Sequence, residues 1–126
     1  MEQLTKAEEK VMRVLWELKK AFVKNVIAEM GEPQPPYNTI SSVVRVLESK
    51  GFVDHKAYGK TYEYYPLISK GEYKKYTFKK LMGDYFDGSY ENLVSFMVQE
   101  EQLSSNELEE IKELINSIEP KGGQDE

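Results

Sequence analysis

The segment YNTISSVVRVLESKG, residues 37–51, decides the fold that this sequence predicts. Its apolar side chains recur at the spacing of one helix face; they are Ile40, Val43, Val44 and Leu47. Asn38 or Thr39 can cap the start of such a helix, because a short side-chain oxygen accepts an N–H of the first turn. Gly51 follows the last turn, where a left-handed residue commonly closes a helix. The segment therefore predicts an amphipathic helix.

The opposite face of this helix is unusual for a surface that meets only water. It carries three short polar side chains and one guanidinium, those of Asn38, Ser41, Ser42 and Arg45. Small polar groups permit close approach to another surface, and Arg can form two hydrogen bonds with a guanine edge. We interpret the segment as a recognition helix for the major groove of DNA. For the segment alone, an ordinary amphipathic helix would be the commoner explanation.

The residues before this helix predict its partner in a helix-turn-helix. Thr5 and Glu8 form the pattern of a capping box at the start of a first helix, residues 5–19. A short extended stretch at residues 21–23 and a short helix at 24–30 follow. The prolines of residues 32–36 then exclude a helix, because proline lacks an N–H and restricts the residue before it. A short helix, a turn and a polar-faced helix make a helix-turn-helix.

The residues after the recognition helix predict a β-hairpin. Strands are expected at 52–56 and 61–65, and Gly59 can adopt the positive φ that the connecting turn needs. A hairpin in this position is the wing of a winged helix. Side chains of the kind that contact phosphates lie near its tip; they are Lys56, Tyr58, Lys60 and Thr61. A plain solvated hairpin is the alternative.

The second half of the chain predicts three further helices, at residues 69–86, 90–100 and 104–119, with Pro120 ending the last one and a disordered tail at 120–126. Ser69 with Glu72, and Ser104 with Glu107, match capping boxes at the start of the first and the last of these helices. Helices this short and this apolar are not stable alone. We expect them to form a dimer with a second copy, or alternatively to pack on the winged helix of their own chain. The expected dimerisation residues are Tyr73, Tyr76, Leu81, Leu93, Phe96, Met97, Leu108, Ile111 and Ile115.

Composition limits the location and the class of the protein. The 126 residues contain no cysteine, which excludes disulfides and thiolate metal sites. No apolar run is long enough to span a membrane and the first residues lack the core of a signal peptide, so a cytoplasmic location is expected. Residues 1–68 carry a net charge of +1 and residues 69–126 a net charge of −6. A nearly neutral first half neither supports nor excludes DNA binding.

No motif in the sequence predicts catalysis or a cofactor. A Gly-rich phosphate loop, HExxH and GxSxG are all absent, so we expect no enzyme activity. His55 is the only histidine, and without cysteine or a nearby carboxylate cluster it predicts a poor metal site. The tyrosines from Tyr58 to Tyr65 could stack on bases, but strand packing explains them more simply.

Four segments together resemble the penicillinase and methicillin-resistance repressors, the BlaI/MecI group with its CopY-type relatives. They are LTKAEEKVMRVLW, YNTISSVVRVLESKGFVDHKAYGKTYEYYP, DYFDGSYENLVSFM and LSSNELEEIKELI, and the resemblance spans residues 4 to about 118. It implies a winged-helix domain, a helical dimerisation domain and repression through a two-fold symmetric operator in double-stranded DNA. The copper-responsive branch uses a Cys-rich tail, which this chain lacks.

The resemblance also implies a mode of induction. This chain departs from the family pattern at two positions. Repressors of this group control β-lactam resistance genes and are inactivated when a membrane metalloprotease sensor leads to cleavage in the dimerisation domain. The matching bond here is Ser95–Phe96, where better-known members have Asn in the first position. The family pattern also has Arg directly before the residue matching Leu47, whereas here Val46 stands there and Arg45 precedes it. Arg45 stays on the polar face, one turn after Ser41.

The sequence thus predicts a mainly α protein with a small β-hairpin: a winged helix-turn-helix domain at 1–68 and a three-helix dimerisation domain at 69–119. The predicted function is a homodimeric repressor on a palindromic operator. The expected DNA contacts are Tyr37, Asn38, Thr39, Ser41, Ser42, Arg45, Lys56, Tyr58, Lys60 and Thr61. The alternatives are a winged-helix adapter between proteins and an accessory subunit of an enzyme.

Overall fold

The structure, a computed structural model, describes residues 1–100 and 103–122, and side chains are described there except at 115 and 118–122. Its elements are α1 (Lys6–Leu18), β1 (Ala21–Phe22), α2 (Val23–Glu29), α3 (Tyr37–Ser49), β2 (Val53–Tyr58), β3 (Thr61–Pro66), α4 (Lys70–Phe86), α5 (Tyr90–Glu100) and α6 (Ser105–Gly122). Mainly helical structure with one small antiparallel sheet confirms the predicted fold class. The chain divides into two compact units, Met1–Phe78 and Lys79–Glu126.

The first helix begins as predicted, with a complete capping box. The Glu8 N–H donates to the Thr5 hydroxyl at 3.2 Å, and the Thr5 N–H donates to the Glu8 carboxylate at 3.0 Å. Each side chain thus satisfies a backbone donor that the first helical turn leaves without a partner. A second box of the same kind starts α4, where Ser69 and Glu72 exchange bonds of 2.8 and 3.0 Å.

The start of the recognition helix α3 differs from the prediction. Neither Asn38 nor Thr39 caps it, because the helix begins at Tyr37 and the N-cap position is Pro36. The Pro36 carbonyl accepts the N–H groups of Thr39 and Ile40 at 3.1 and 3.3 Å. A proline here has the extended backbone that precedes a helix and no N–H to satisfy. The side chains of Asn38 and Thr39 are consequently left on the exposed surface.

The three strands form one antiparallel sheet in the order β1-β3-β2. Tyr58 pairs with Thr61, so the loop of the hairpin contains only Gly59 and Lys60, and Gly59 has the expected positive φ of 64°. The predicted strand end at Lys56 was therefore too early. Ala57 and Tyr58 continue the ladder because the two-residue loop needs no further residues.

The core of the first unit lies between its helices and the sheet. Its largest fully buried side chains are Phe52, Met12, Leu15, Leu47, Val11, Val26, Val44 and Val53. The apolar face of α3 is part of this core, since Ile40, Val44 and Leu47 are between 0% and 4% exposed. Gly51, at φ 84°, ends the helix as predicted, and the Phe52 N–H then donates to the Leu47 carbonyl at 2.9 Å. The core thereby fixes which face of α3 remains outside.

The second unit contains the end of α4 together with α5 and α6. Asp87 and Gly88 both adopt positive φ, at 52° and 71°, in the predicted turn between α4 and α5. Ser104 and Glu107 cap α6 with reciprocal bonds of 3.2 and 2.8 Å, also as predicted.

The end of α6 differs from the prediction. Pro120 does not terminate this helix, whose backbone continues to Gly122. A proline removes one donor and restricts the residue before it, but it does not forbid helical φ in the residues that follow. The expected disordered tail at 120–126 is therefore wrong for its first residues, and residues 123–126 lie outside the described part. Among the described residues, no helix combines the length and the apolar character that crossing a membrane requires.

Candidate nucleic-acid interface

The polar face of α3 is presented to the outside by the burial of its apolar face. Asn38, Thr39 and Ser42 are exposed, and Ser41 is half-buried. Tyr37 at the first turn is 56% exposed and Val46 is 43% exposed. None of these positions is needed for the core, so the whole face is free to meet a ligand.

Arg45 lies along this face, where the sequence placed it. Its Nη2 donates to the Ser41 hydroxyl at 3.1 Å, which confirms that the two side chains share one side of the helix. A guanidinium has five N–H donors, and this bond uses one of them. The other donors remain available for two acceptors on a base edge or for a phosphate.

The tip of the wing is stabilised by contacts within the hairpin. The Thr61 hydroxyl donates to the Tyr58 carbonyl at 2.9 Å, and the Lys56 ammonium lies 5.3 Å from the centre of the Tyr58 ring. Tyr58 also meets Phe22 edge to face, with ring centres 5.8 Å apart. These contacts connect the wing to β1 and place Lys56 beside an aromatic ring.

A groove of about 870 Å³ separates the recognition helix from the wing. It brings together six of the predicted DNA-binding residues, Tyr37, Asn38, Ser41, Arg45, Lys60 and Thr61. The other four, Thr39, Ser42, Lys56 and Tyr58, lie on the same two elements but do not line it. The structure adds Phe22, Val23, Lys24, Glu48, Tyr62 and Tyr64 to the lining. Of these, only Lys24 could have been predicted from the sequence, because it is a basic residue at the start of the first helix of a helix-turn-helix.

His55 has neighbours that the sequence prediction did not anticipate. Its Nδ1 lies 2.8 Å from Glu48 of α3 and 4.0 Å from the carboxylate of Asp54. Its ring stacks on Tyr62 of β3 at 4.0 Å between centres and 12° between planes. The expectation of no nearby carboxylate cluster was therefore wrong, because α3 and β2 pack side by side and join residues seven positions apart. The contacts tie the recognition helix to the wing.

The other end of α3 is held by an ion pair to α1. The Lys50 ammonium donates to both carboxylate oxygens of Glu8, at 2.8 and 3.1 Å. Burial raises the pKa of Glu8, but the hydrogen bonds from Lys50 and Thr5 outweigh it, and the pKa lies below its ordinary value. The hydrogen bond to Glu8 likewise raises the pKa of Lys50. The pair therefore remains charged at neutral pH and links the end of α3 to the first turn of α1.

Two of the residues expected at a dimer interface lie in the first unit instead. Tyr73 is 4% exposed, its hydroxyl accepts the Leu4 N–H at 2.8 Å, and its ring meets that of Phe52 at 5.8 Å. Tyr76 packs partly buried against the same core. Tyr73 is thus a core residue of its own chain, because α4 begins beside α1. We therefore exclude it from the proposed dimer interface.

The second unit exposes much of its apolar surface. Leu81 and Phe96 are 43% and 44% exposed, while the predicted interface residues Leu93, Met97, Leu108 and Ile111 are half-buried. Phe96 meets Phe86 edge to face at 5.6 Å. The predicted cleavage bond, Ser95–Phe96, lies inside α5. The side chain of Ile115 lies outside the described residues.

Comparison with known proteins identifies relatives over nearly the whole chain. The penicillinase repressor family matches residues 4–117. The methicillin resistance regulatory protein MecI of Staphylococcus aureus is 32% identical over 116 residues, which cover 90% of this chain and 94% of that protein. The penicillinase repressor of Bacillus licheniformis is 25% identical over 114 residues, covering 90% of this chain and 89% of that one.

A solved structure resembles part of the chain. The solution structure of the DNA-binding domain of the repressor BlaI matches with a TM-score of 0.50 and 29% identity, and it covers 56% of this chain and 88% of that domain. The winged-helix architecture that the sequence predicted is therefore shared with a solved DNA-binding domain.

Proposed function

The chain belongs to the penicillinase repressor family, whose members are transcriptional repressors and not enzymes, and we propose that it represses transcription as a homodimer on a two-fold symmetric operator. In this proposal residues 1–68 bind DNA and the helical part at 69–119 dimerises through its surface after Phe78, where the second unit begins. The protein acts in the cytoplasm.

The observation that carries the proposal is the groove between α3 and the wing. Its two sides bear different chemistry: short polar groups with Arg45 on the helix, and Lys60 with Thr61 on the hairpin. In our proposal Thr39, Ser41, Ser42 and Arg45 face bases, because they lie on the polar face of α3 and a major groove admits an α-helix. Tyr37 and Asn38 lie near the backbone, while Lys56, Tyr58 and Lys60 hold phosphates or reach the minor groove.

Dimerisation explains how so small a surface achieves useful affinity. One winged helix offers few DNA contacts, but joining two makes the second binding step intramolecular and multiplies the affinity. The exposed apolar side chains of the second unit, among them Leu81 and Phe96, support a partner there. In a two-fold dimer the recognition helices would meet half-sites about 34 Å apart, or a small multiple of that distance.

We further propose that the repressor controls β-lactam resistance genes and is inactivated by proteolysis at Ser95–Phe96, through a membrane metalloprotease sensor. The relatives named for methicillin resistance and penicillinase repression support the first part. Because the bond lies within helix α5, its backbone groups are engaged in helical hydrogen bonds, and cleavage requires that part of α5 unfolds first. Cutting there would separate the DNA-binding modules without altering the DNA-binding surface.

The test is binding of the purified protein to the DNA upstream of its own gene, by fluorescence anisotropy over a salt series. We expect tighter binding than to random DNA, a stoichiometry of two chains per site, and a linear decrease of log affinity with log salt. If no preference for that DNA is found, selection from a random library follows. Failure of the library to yield a preferred sequence would contradict the proposed function and favour a protein-binding adapter.

A further inference from the structure

Three side chains of the kinds that bind metal ions meet where the end of α3 packs beside β2. One ligand atom from each of Glu48, Asp54 and His55 lies within 4.8 Å of the other two. We propose that these residues bind a divalent transition-metal cation, and that the bound cation increases the affinity of the groove for DNA. The second part rests on the function proposed above; the first does not.

The distances are close to those of a coordinated ion. In a tetrahedral site with bonds of about 2.0–2.2 Å, neighbouring ligand atoms lie roughly 3.4 Å apart. The His55 Nδ1 is 2.8 Å from Glu48 Oε2 and 4.0 Å from Asp54 Oδ1, so the ion requires one gap to widen and the other to narrow. These side chains are 27%, 31% and 51% exposed for His55, Glu48 and Asp54. Such exposed groups can make these small movements, and water can complete the coordination.

Neighbouring groups already orient two of the three ligands. The His55 ring is stacked on Tyr62, which leaves Nδ1 directed at Glu48. Asp54 and His55 are adjacent in a strand, where side chains normally point to opposite faces. Here the backbone N–H of His55 donates to Asp54 Oδ1 at 2.8 Å, and this bond turns the carboxylate toward the imidazole of His55. Such supporting contacts commonly orient metal ligands.

The ligand set favours a transition metal over magnesium. An imidazole nitrogen suits zinc, nickel, copper and iron, whereas magnesium prefers an octahedron of oxygens. Zinc is therefore the probe of the site, and magnesium is the control cation.

The position of the site suggests its effect. Glu48 also lines the groove between α3 and the wing, alongside Arg45 and Lys60. A carboxylate on a surface that binds phosphates repels them, and Asp54 adds a second negative charge nearby. A divalent cation would neutralise both charges while joining the recognition helix to the first strand of the wing. DNA affinity should then increase with metal occupancy.

The site itself is tested without DNA, on protein that carries no polyhistidine tag. The chain has one histidine, so its imidazole C–H signals in a proton NMR spectrum belong to His55 alone. We expect zinc, but not magnesium, to change these signals in a saturable manner at one equivalent per chain. Glu48→Gln and Asp54→Asn should each weaken this response at least about tenfold, whereas Glu63→Gln on β3 should respond like the wild type. Unchanged His55 signals, or an unchanged response in both ligand variants, would overturn the site.

The effect on DNA binding is tested by anisotropy at pH 8, in zinc, in magnesium and in EDTA. We expect zinc to tighten wild-type binding by roughly fivefold or more and to leave Glu48→Gln unaffected. Equal affinity in zinc and EDTA would overturn the coupling. Absence of DNA binding in every buffer would contradict the proposed function, while the NMR result still decides the site.

Discussion

The two compact units of the chain differ in how much of their apolar side-chain surface is buried. In the first unit Val11, Met12, Leu15 and Phe52 are completely buried. Among the described residues from 79 onward, Met82 is the one large apolar side chain that is buried, and Tyr85, Tyr90 and Leu114 are 77%, 64% and 61% exposed. The first unit therefore buries its large apolar side chains in its own core, whereas the second unit leaves much of its apolar surface exposed.

The difference indicates which half depends on a partner. Helices of the length of α5 are marginal in water unless an apolar face is packed, and contiguous exposed apolar surface marks interaction sites. The first unit should be stable without a second copy, and the second unit should gain its stability from one. The four variants below test this contrast, from the largest expected effect to the smallest.

Phe52→Ala should destabilise the first unit by about 3–5 kcal/mol, because it removes a fully buried ring from a packed core. Phe52 is 0% exposed and contacts Tyr73. Urea unfolding followed by far-UV circular dichroism gives the free energy. Leu67→Ala, at a position 53% exposed in the first unit, is the matched control and should change it by less than about 0.5 kcal/mol. Equal losses in the two variants would show that burial of Phe52 in the core does not stabilise the first unit.

Phe96→Asp should weaken dimerisation by about 2 kcal/mol or more, because an unpaired charge would enter an apolar interface. Sedimentation equilibrium measures the dimer dissociation constant. Gln99→Asp places the same charge at an exposed site of α5 and should leave the dimer largely intact. An unchanged dimer in Phe96→Asp would exclude this face of α5 from the interface and leave its exposed apolar groups unexplained.

Local signals in the sequence predicted much of the fold. The sequence correctly predicted three capping boxes and one turn, because each depends on residues within four positions. The boxes start at Thr5, Ser69 and Ser104, and the turn contains Gly59. The predicted cap at Asn38 or Thr39 was wrong, because α3 begins at Tyr37 with Pro36 at its N-cap. The predicted stop at Pro120 was wrong, because the helical backbone continues to Gly122.

Contacts between residues that are distant in the sequence could not be predicted from it. The polar face of α3 was found from its periodicity, but the pairing of Glu48 with His55 depends on how α3 packs against β2. The burial of Tyr73 depends on Leu4, at the other end of the first unit. The sequence therefore predicted which residues α3 would expose, and it did not predict which groups would lie beside them.

Arg45→Ala should cost about 1–3 kcal/mol in operator binding and relax specificity at one base pair per half-site. The reason is that Arg45 is the guanidinium on the exposed face of α3, with one donor bonded to Ser41. Anisotropy on operator variants and random DNA measures both effects. Arg13→Ala on α1 removes an exposed guanidinium elsewhere and should change little. Equal loss on operator and random DNA would mean that Arg45 contacts only phosphate. The dimer constant should stay unchanged, which would show that the two units act separately.

Glu8→Gln should give the smallest change, confined to the first unit. Glutamine can still complete the capping box with Thr5, but it cannot form an ion pair with Lys50. The folded-state pKa of Glu8 lies below its ordinary value of 4.5 and that of Lys50 above 10.5. The stabilisation by the charged Glu8 is therefore present above the unfolded pKa and is lost as the pH falls through the folded one. Wild type should exceed the variant in urea midpoint at pH 7 and converge with it as the pH is lowered.

The control for this variant is Glu9→Gln, which removes only an exposed pair with Arg13 at 3.5 Å and should have little effect. A difference between Glu8→Gln and wild type that persists in acid would assign the role of Glu8 to packing rather than charge. The pair matters for the contrast between the units because it joins two helices, α1 and α3. The pairs Lys80–Asp84 and Lys112–Glu109 in the second unit each lie on one helix. A pH-dependent loss would therefore show that the first unit is held together by charge as well as by its core.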